Sequence, residues 1–123
     1  MASDFVLIPV KPDRFSVLGY GQILEALDDF RANYPDPHKV KDLGVVFTQL
    51  QGGNNIETEC MSEVEGQADY VFDAKIWRSN SYLRSVHEQT PVFDTSYARQ
   101  LTASSITALT KELETRIKEL ANA

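Results

Sequence analysis

The feature that most constrains the fold is a strand–helix–strand pattern in the N-terminal part of the chain. The run from Phe5 to Val10 (FVLIPV) is short, apolar and rich in β-branched residues, which is typical of a strand buried on both faces. A second such run extends from Gly44 to Leu50. Between them, from Ser16 as a predicted N-cap to Tyr34, hydrophobic residues recur at helical spacing until Pro35 ends the helix. Two strands joined by one helix predict a βαβ unit with parallel strands.

The rest of the sequence predicts one more strand and three more helices. Residues Tyr70 to Trp77 alternate between apolar and polar, as a strand at a sheet edge does. Helices are predicted over Ile56 to Ala68 and Ser79 to Gln89, with a loop over Thr90 to Phe93. A last helix is predicted from apolar residues spaced along one face: Ile106, Leu109, Leu113, Ile117 and Leu120. The chain of 123 residues is therefore predicted to be one α/β domain with three to four strands and flanking helices.

Such a sheet has few strands for a parallel sheet, because doubly wound sheets usually have roughly five strands or more. The strand predicted from Phe5 to Val10 lies close to Met1, and a central parallel strand needs a neighbour on each side. We therefore expect a missing N-terminal portion or a partner to cover its free edge. A homodimer or a domain-swapped dimer would do so.

The sequence contains no self-sufficient catalytic constellation. No Gly-rich loop is followed by Lys-Ser or Lys-Thr, and neither apolar strand ends in an acidic residue that could hold magnesium. His38 and His87 have no carboxylate at metal-ligand spacing, so we interpret both as surface histidines. Cys60, the single cysteine, falls on the inward face of a predicted helix, which indicates a buried, inert thiol. We predict no catalytic residue and no metal site in this chain.

Charge and composition narrow the class of protein. The net charge of −6 argues against a nucleic-acid platform over the whole surface. One stretch, from Lys75 to His87, contains Lys75, Arg78 and Arg84 and no acidic residue, so it is either a basic patch or a locally solvated segment. No apolar run is long enough to cross a membrane, and no signal-peptide pattern is present at the N-terminus. These features predict a cytoplasmic protein without a membrane partner.

Four segments, in order, resemble the ParA/Soj/MinD family of partitioning ATPases. They are ASDFVLIPVKPD (residues 2–13) with Phe15, Ser16 and Gly19, GVVFT (44–48), DAKIWRS (73–79), and TPVF (90–93) followed by Ser96. The resemblance spans nearly all of this chain but only about the C-terminal half of a family member. It implies an incomplete three-layer, parallel-sheet fold of the P-loop NTPase type. Residues 1–123 would form the C-terminal half of the ATPase domain, without the half that contains the phosphate-binding loop.

The resemblance also implies ligands and partners. Family members bind ATP and magnesium, form an ATP-sandwich dimer, bind DNA non-specifically on the nucleoid, and respond to a ParB-like partner. The phosphate and magnesium contacts would lie in the other half, so we expect no cofactor and no hydrolysis in this chain alone. Its adenine-side residues would be Thr48, Gln49, Ile76, Trp77 and Arg78. The family usually has proline at position 77, where this chain has a tryptophan that could stack on a purine or simply fill space.

The predicted DNA contacts come from the same region. Arg78 matches the arginine of the family motif, while Lys75 and Arg84 lie in its neighbourhood. The predicted function is thus that of the C-terminal part of a ParA-family partitioning ATPase, inactive alone. Two alternatives stay open: a short interaction or dimerisation module that regulates a full-length relative, and an unrelated small flavodoxin-like binding domain.

Overall fold

The computed structural model describes residues 4–33, 40–52, 55–91 and 100–121. The predictions for Pro35, His38, Phe93 and Ser96 lie outside these ranges. The elements are β1 (Phe5–Val10), α1 (Arg14–Asn33), β2 (Lys41–Phe47), α2 (Asn55–Gln67), α3 (Asn80–Glu88) and α4 (Gln100–Ala121). The four helices lie where the sequence predicts them, and α4 begins well before Ile106. No helix in this part of the chain combines the length and apolarity needed to span a bilayer.

The predicted βαβ unit is present. Strands β1 and β2 form a two-stranded parallel sheet, and α1 connects them. The N–H of Thr48 donates to the carbonyl oxygen of Val10 at 3.0 Å, which prolongs the pairing to the end of β1. Strand β2 lies three residues earlier than predicted, at 41–47 rather than 44–50. It begins at Lys41 because that residue pairs with Phe5, and it ends before Gln49, whose φ of 55° is left-handed and incompatible with an extended strand.

Strand β1 is an edge strand within the described residues, because it pairs only with β2. The carbonyl oxygens of Asp4 and Val10 both point toward β2, where they accept the N–H groups of Lys41 and Thr48. Since backbone groups alternate along a strand, Pro9 faces the free edge, where its missing N–H is not needed for pairing. The prediction that a partner covers this edge stays a prediction.

One hydrophobic core joins the sheet to α1 and α2. Its aromatic members, Tyr20 and Phe47, are 2% and 0% exposed, and each contributes roughly 1.5–3 kcal/mol by burial. Cys60 is fully buried in the same cluster, as its helical position predicts. The buried members of the cluster are Ile8, Val10, Val17, Tyr20, Val45, Phe47, Leu50, Cys60 and Val64.

Helix α1 begins at Arg14, earlier than a cap at Ser16 would place it. The N-cap is Asp13, whose Oδ1 accepts the N–H of Ser16 at 2.8 Å. This backbone hydrogen bond lowers the pKa of the Asp13 carboxyl. Arg14 donates to both carboxylate oxygens of Glu63 at 2.8 Å, which ties the start of α1 to α2. The sequence Lys11-Pro12-Asp13 therefore starts a helix as well as making a turn.

The predicted third strand, Tyr70 to Trp77, is not a regular strand. It forms two isolated parallel bridges. Val71 pairs with Val45 of β2, and Trp77 pairs with Leu50, just beyond β2. Between these two points the backbone leaves the sheet. The described residues therefore form a small α/β structure with two regular strands, and the predicted three to four strands are not confirmed.

Glu112 of α4 explains the interruption. Its carboxylate accepts the N–H groups of Asp73 and Ala74 at 2.9 and 2.8 Å, and the hydroxyl of Tyr70 at 2.9 Å. The guanidinium of Arg116 lies 4.2 Å from the centre of the Tyr70 ring, a favourable cation–π distance. Because the N–H of Ala74 donates to a side chain from a distant helix, it is not available to β2, which it would face in a regular strand.

Strand β2 approaches this segment closely at Gly44. The φ of Gly44 is +128°, a conformation that suits glycine, and a Cβ here would lie 2.6 Å from the carbonyl oxygen of Tyr70. That same oxygen accepts the N–H of Val45 at 3.0 Å. The glycine that opens the GVVFT segment is therefore required by the contact with Tyr70.

Candidate functional site

A cavity of about 510 Å³ lies beyond the carboxyl ends of β1 and β2. Its wall combines the residue after β1, the loop after β2, the end of the 70–77 segment and α3. The lining residues are Lys11, Gln49, Gln51, Ile76, Trp77, Arg78, Ser79, Tyr82 and Leu83. Ligands of open α/β sheets bind at this edge, and the volume is in the range of small-molecule sites.

The structure brings together four of the five residues predicted for the adenine side. Gln49, Ile76, Trp77 and Arg78 all line the cavity. Thr48 does not. Its backbone N–H continues the β1–β2 pairing, and its side chain is half-buried. The four residues come from two segments far apart in sequence, which the sheet holds side by side.

The residues predicted to contact DNA are only partly gathered at this site. Arg78 lines the cavity and is exposed. Lys75 precedes the cavity-lining turn, and Arg84 is exposed on α3; neither belongs to the lining. A common DNA-binding surface for all three residues stays a prediction.

Sequence reasoning missed several lining residues. Lys11 directly follows β1 and Gln51 lies in the loop after β2, so the rule that strand ends converge at one edge could have indicated both. Tyr82 and Leu83 gave no such signal. They reach the cavity because α3 begins at Asn80, directly after the turn at 76–79, and that turn is held against the end of β2 by tertiary contacts.

Gln49 is held in an unfavourable backbone conformation. Its φ of 55° lies in the left-handed region, which for a residue with a Cβ costs about 1–2 kcal/mol. The neighbouring Leu50 is buried, and its N–H donates to the carbonyl oxygen of Ile76 at 3.3 Å. These contacts maintain the strain, which is a common property of residues at binding sites.

The turn that contains Trp77 is fixed to β2 on both sides. The N–H of Ile76 donates to Phe47 and that of Arg78 to Leu50, each at 2.9 Å. The indole of Trp77 packs over Gly52, where a Cβ would lie 3.2 Å from the ring. Trp77 is nevertheless 40% exposed, so it fills space against the loop and still offers aromatic surface to a ligand.

Glu57, in the first turn of α2, organises the loop after β2. Its carboxylate accepts the N–H groups of Gln51 and Gly52, both at 2.9 Å. The loop is therefore anchored to the helix that follows it. This places the Gln51 side chain in the cavity wall next to Gln49.

The charge of the lining is entirely positive. Lys11 and Arg78 are its only charged residues, and no carboxylate belongs to it. Lys11 forms an ion pair with Asp13, with 3.8 Å between Nζ and Oδ2, and this exposed pair contributes little. In a chain of net charge −6, a cavity lined by two cations and no acid is suited to an anionic ligand.

Two further groups bear on the chemistry. Burial raises the pKa of the Tyr82 phenol, which is therefore neutral at physiological pH and can donate or accept a hydrogen bond. Across the described ranges, no three His, Cys, Asp or Glu side chains come together as a metal site. His87 is exposed near the end of α3. The cavity thus offers aromatic stacking, amide hydrogen bonding and positive charge.

No model of a known protein family matches the chain. The chain is similar to a virulence plasmid ParA family protein, pGP5-D, of Chlamydia psittaci, with 27% identity over 118 residues. The aligned part covers 95% of this chain and 43% of that protein, so the chain spans less than half the length of this relative. The comparison supports a distant relationship to a ParA family protein, in agreement with the resemblance in the sequence.

Proposed function

We propose that this chain is the base-binding part of a ParA-like partitioning ATPase. The cavity beyond β1 and β2 holds the base end of an adenine nucleotide, and residues outside this chain supply the phosphate and magnesium contacts. The observation that carries the proposal is the composition of the cavity wall: an exposed indole, two glutamine amides and two cations, with no carboxylate. Hydrolysis by this chain alone is not expected, since no phosphate-binding motif occurs in its sequence.

Each part of the wall suits one part of a nucleotide. Trp77 offers aromatic surface on which a purine can stack, an interaction worth about 1–3 kcal/mol in comparable sites. The amides of Gln49 and Gln51 can both donate to and accept from a base edge. Lys11 and Arg78 supply positive charge for the phosphates. The similarity to a virulence plasmid ParA family protein supports the same assignment.

Exposed apolar side chains also occur at the carboxyl edge. Seven large hydrophobic side chains are exposed in the described ranges, and two of them, Trp77 and Leu83, line the cavity. The other five are Phe15, Leu18, Ile23, Ile56 and Val86. Exposed apolar residues at a cavity are suited to an interaction surface. We propose that a second copy of the chain or of a longer relative pairs through this edge, with the nucleotide between the two.

The test is a titration of ATP followed by the backbone amide resonances of the chain. Without phosphate-loop contacts, we expect weak binding, with a Kd on the order of 1 mM. Shifts should concentrate at residues 11, 49–51 and 76–83. Trp77→Ala, which removes the stacking surface, should abolish saturation in the accessible range. Sedimentation of the same samples measures whether ATP promotes pairing.

The matched control for Arg78→Ala is Lys118→Ala, which removes an exposed cation from α4, away from the cavity. Arg78→Ala should weaken ATP binding several-fold, while Lys118→Ala should leave it unchanged. The proposal fails if ATP at a concentration 10-fold above the expected Kd shifts no resonance of the cavity residues, or if both substitutions change ATP binding equally.

DNA binding belongs to the proposal in a weaker form. Lys75, Arg78 and Arg84 lie within one stretch that contains no acid until Glu88. Any DNA contact through them would depend strongly on salt.

Of the alternatives, a flavodoxin-like domain requires a complete sheet of about five strands. The two strands in the described ranges disfavour it. The interaction-module alternative predicts pairing that does not depend on ATP.

A further inference from the structure

Two buried hydroxyl groups in the described part of the chain have no hydrogen-bond partner. They are the phenol of Tyr82 and the Oγ1 of Thr90. A buried hydroxyl without a partner is unfavourable, because it has lost its hydrogen bonds to water and gained none in return. Such groups are rare in native proteins, and each one needs a physical explanation.

The two hydroxyls differ in position. Tyr82 lines the cavity and Thr90 does not. A phenylalanine at position 82 would fill the same volume without an unpaired hydroxyl. The hydroxyl oxygen of Tyr82 is also shielded from solvent in the ligand-free chain. Because Tyr82 lines the cavity, a molecule that enters it and displaces the covering side chains can supply the missing partner.

We propose that Tyr82 is a specificity-determining residue, whose hydroxyl forms a hydrogen bond with the base of the bound nucleotide. The inference rests on the proposed function of the cavity. The base is a better partner for Tyr82 than the phosphates are. The phosphates attract the cations Lys11 and Arg78, whereas the neutral phenol suits the uncharged ring nitrogens and exocyclic groups of a base. The proposal includes a shift of side chains in the wall, since the hydroxyl is shielded in the ligand-free chain.

The experiment compares Tyr82→Phe with Thr90→Val in the full chain. Each substitution removes one unpaired buried hydroxyl and preserves the shape of the side chain, so both should leave the Tm unchanged or raise it, by up to roughly 6 °C. Only Tyr82→Phe should weaken ATP binding, by roughly 2- to 10-fold. With ribose 5′-triphosphate, which has no base, Tyr82→Phe should bind as the wild type does.

The outcomes separate this inference from the proposed function. If wild-type chain binds ATP in the cavity and Tyr82→Phe binds it equally well, the role of Tyr82 is refuted and the nucleotide site stands. An equal loss of affinity in Thr90→Val, or a lowered Tm in Tyr82→Phe, also refutes it, since the effect would then be structural. If the wild type does not bind ATP, both proposals are wrong.

Discussion

Replacing Gly44 with alanine tests the packing on which the site depends. The added Cβ would lie 2.6 Å from the carbonyl oxygen and 2.8 Å from Cδ1 of Tyr70, so backbone or ring must move. The φ of +128° adds conformational strain for any residue with a Cβ. Because the Tyr70 segment leads directly into the turn at 76–79, the same displacement disturbs the cavity wall.

The magnitude follows from these contacts. The disfavoured φ costs about 1–3 kcal/mol. Moving the Tyr70 carbonyl by something on the order of 0.5 Å also weakens the buried hydrogen bond from Val45, for about 1–2 kcal/mol more. The expected loss is about 2–5 kcal/mol of unfolding free energy, a large part of the roughly 5–15 kcal/mol that a domain has.

The assay is urea denaturation, followed by far-UV circular dichroism and by the fluorescence of Trp77, the single tryptophan. Gly21→Ala is the matched control, because the same methyl group is added inside α1 with no heavy atom within 4 Å. That control should gain roughly 0.5–1 kcal/mol from helix propensity. If Gly44→Ala unfolds within about 0.5 kcal/mol of the wild type, the argument from close approach is wrong.

Two further predictions concern the polar contacts that hold the fold. Glu112→Gln should lose about 1–2 kcal/mol of unfolding free energy. Both carboxylate oxygens of Glu112 accept hydrogen bonds, from Tyr70 and Asp73 on one side and from Ala74 on the other, whereas an amide has only one oxygen that can accept. Glu114→Gln, on the exposed side of α4, is the control, and equal losses in both would contradict the role of Glu112. For Asp13, the hydrogen bond from the Ser16 N–H lowers the pKa of the carboxyl in the folded state. The stabilisation that the ionised carboxylate gives to the fold is therefore present above the unfolded pKa, and it is lost as the pH falls through the folded pKa. The difference in unfolding free energy between the wild type and Asp13→Asn should therefore shrink below about pH 4, and a constant difference from pH 7 to pH 2 would rule this out.

The candidate site was only partly accessible to sequence reasoning. Gln49, Ile76, Trp77 and Arg78 were predicted because they belong to segments that resemble family motifs, and the sheet places all four in one wall. Thr48 was predicted on the same basis but lies outside the lining, since its backbone continues the strand pairing. A motif identifies the segment that approaches a site, whereas the direction of each side chain depends on the local backbone, such as the left-handed turn at position 49.

The sequence alone determined the elements that local patterns encode: four helices, two parallel strands and the βαβ connection between them. Hydrophobic periodicity and caps act over a few residues, so those elements can be predicted from a single segment. The tertiary structure decided what depends on distant residues. Glu112 accepts the N–H of Ala74, which would face β2 in a regular strand, and the predicted strand is a segment with two bridges. Lys11 and Tyr82 line one cavity for a similar reason: the hydrogen bonds of Ile76 and Arg78 to Phe47 and Leu50, rather than any local pattern, hold the start of α3 beside the strand ends.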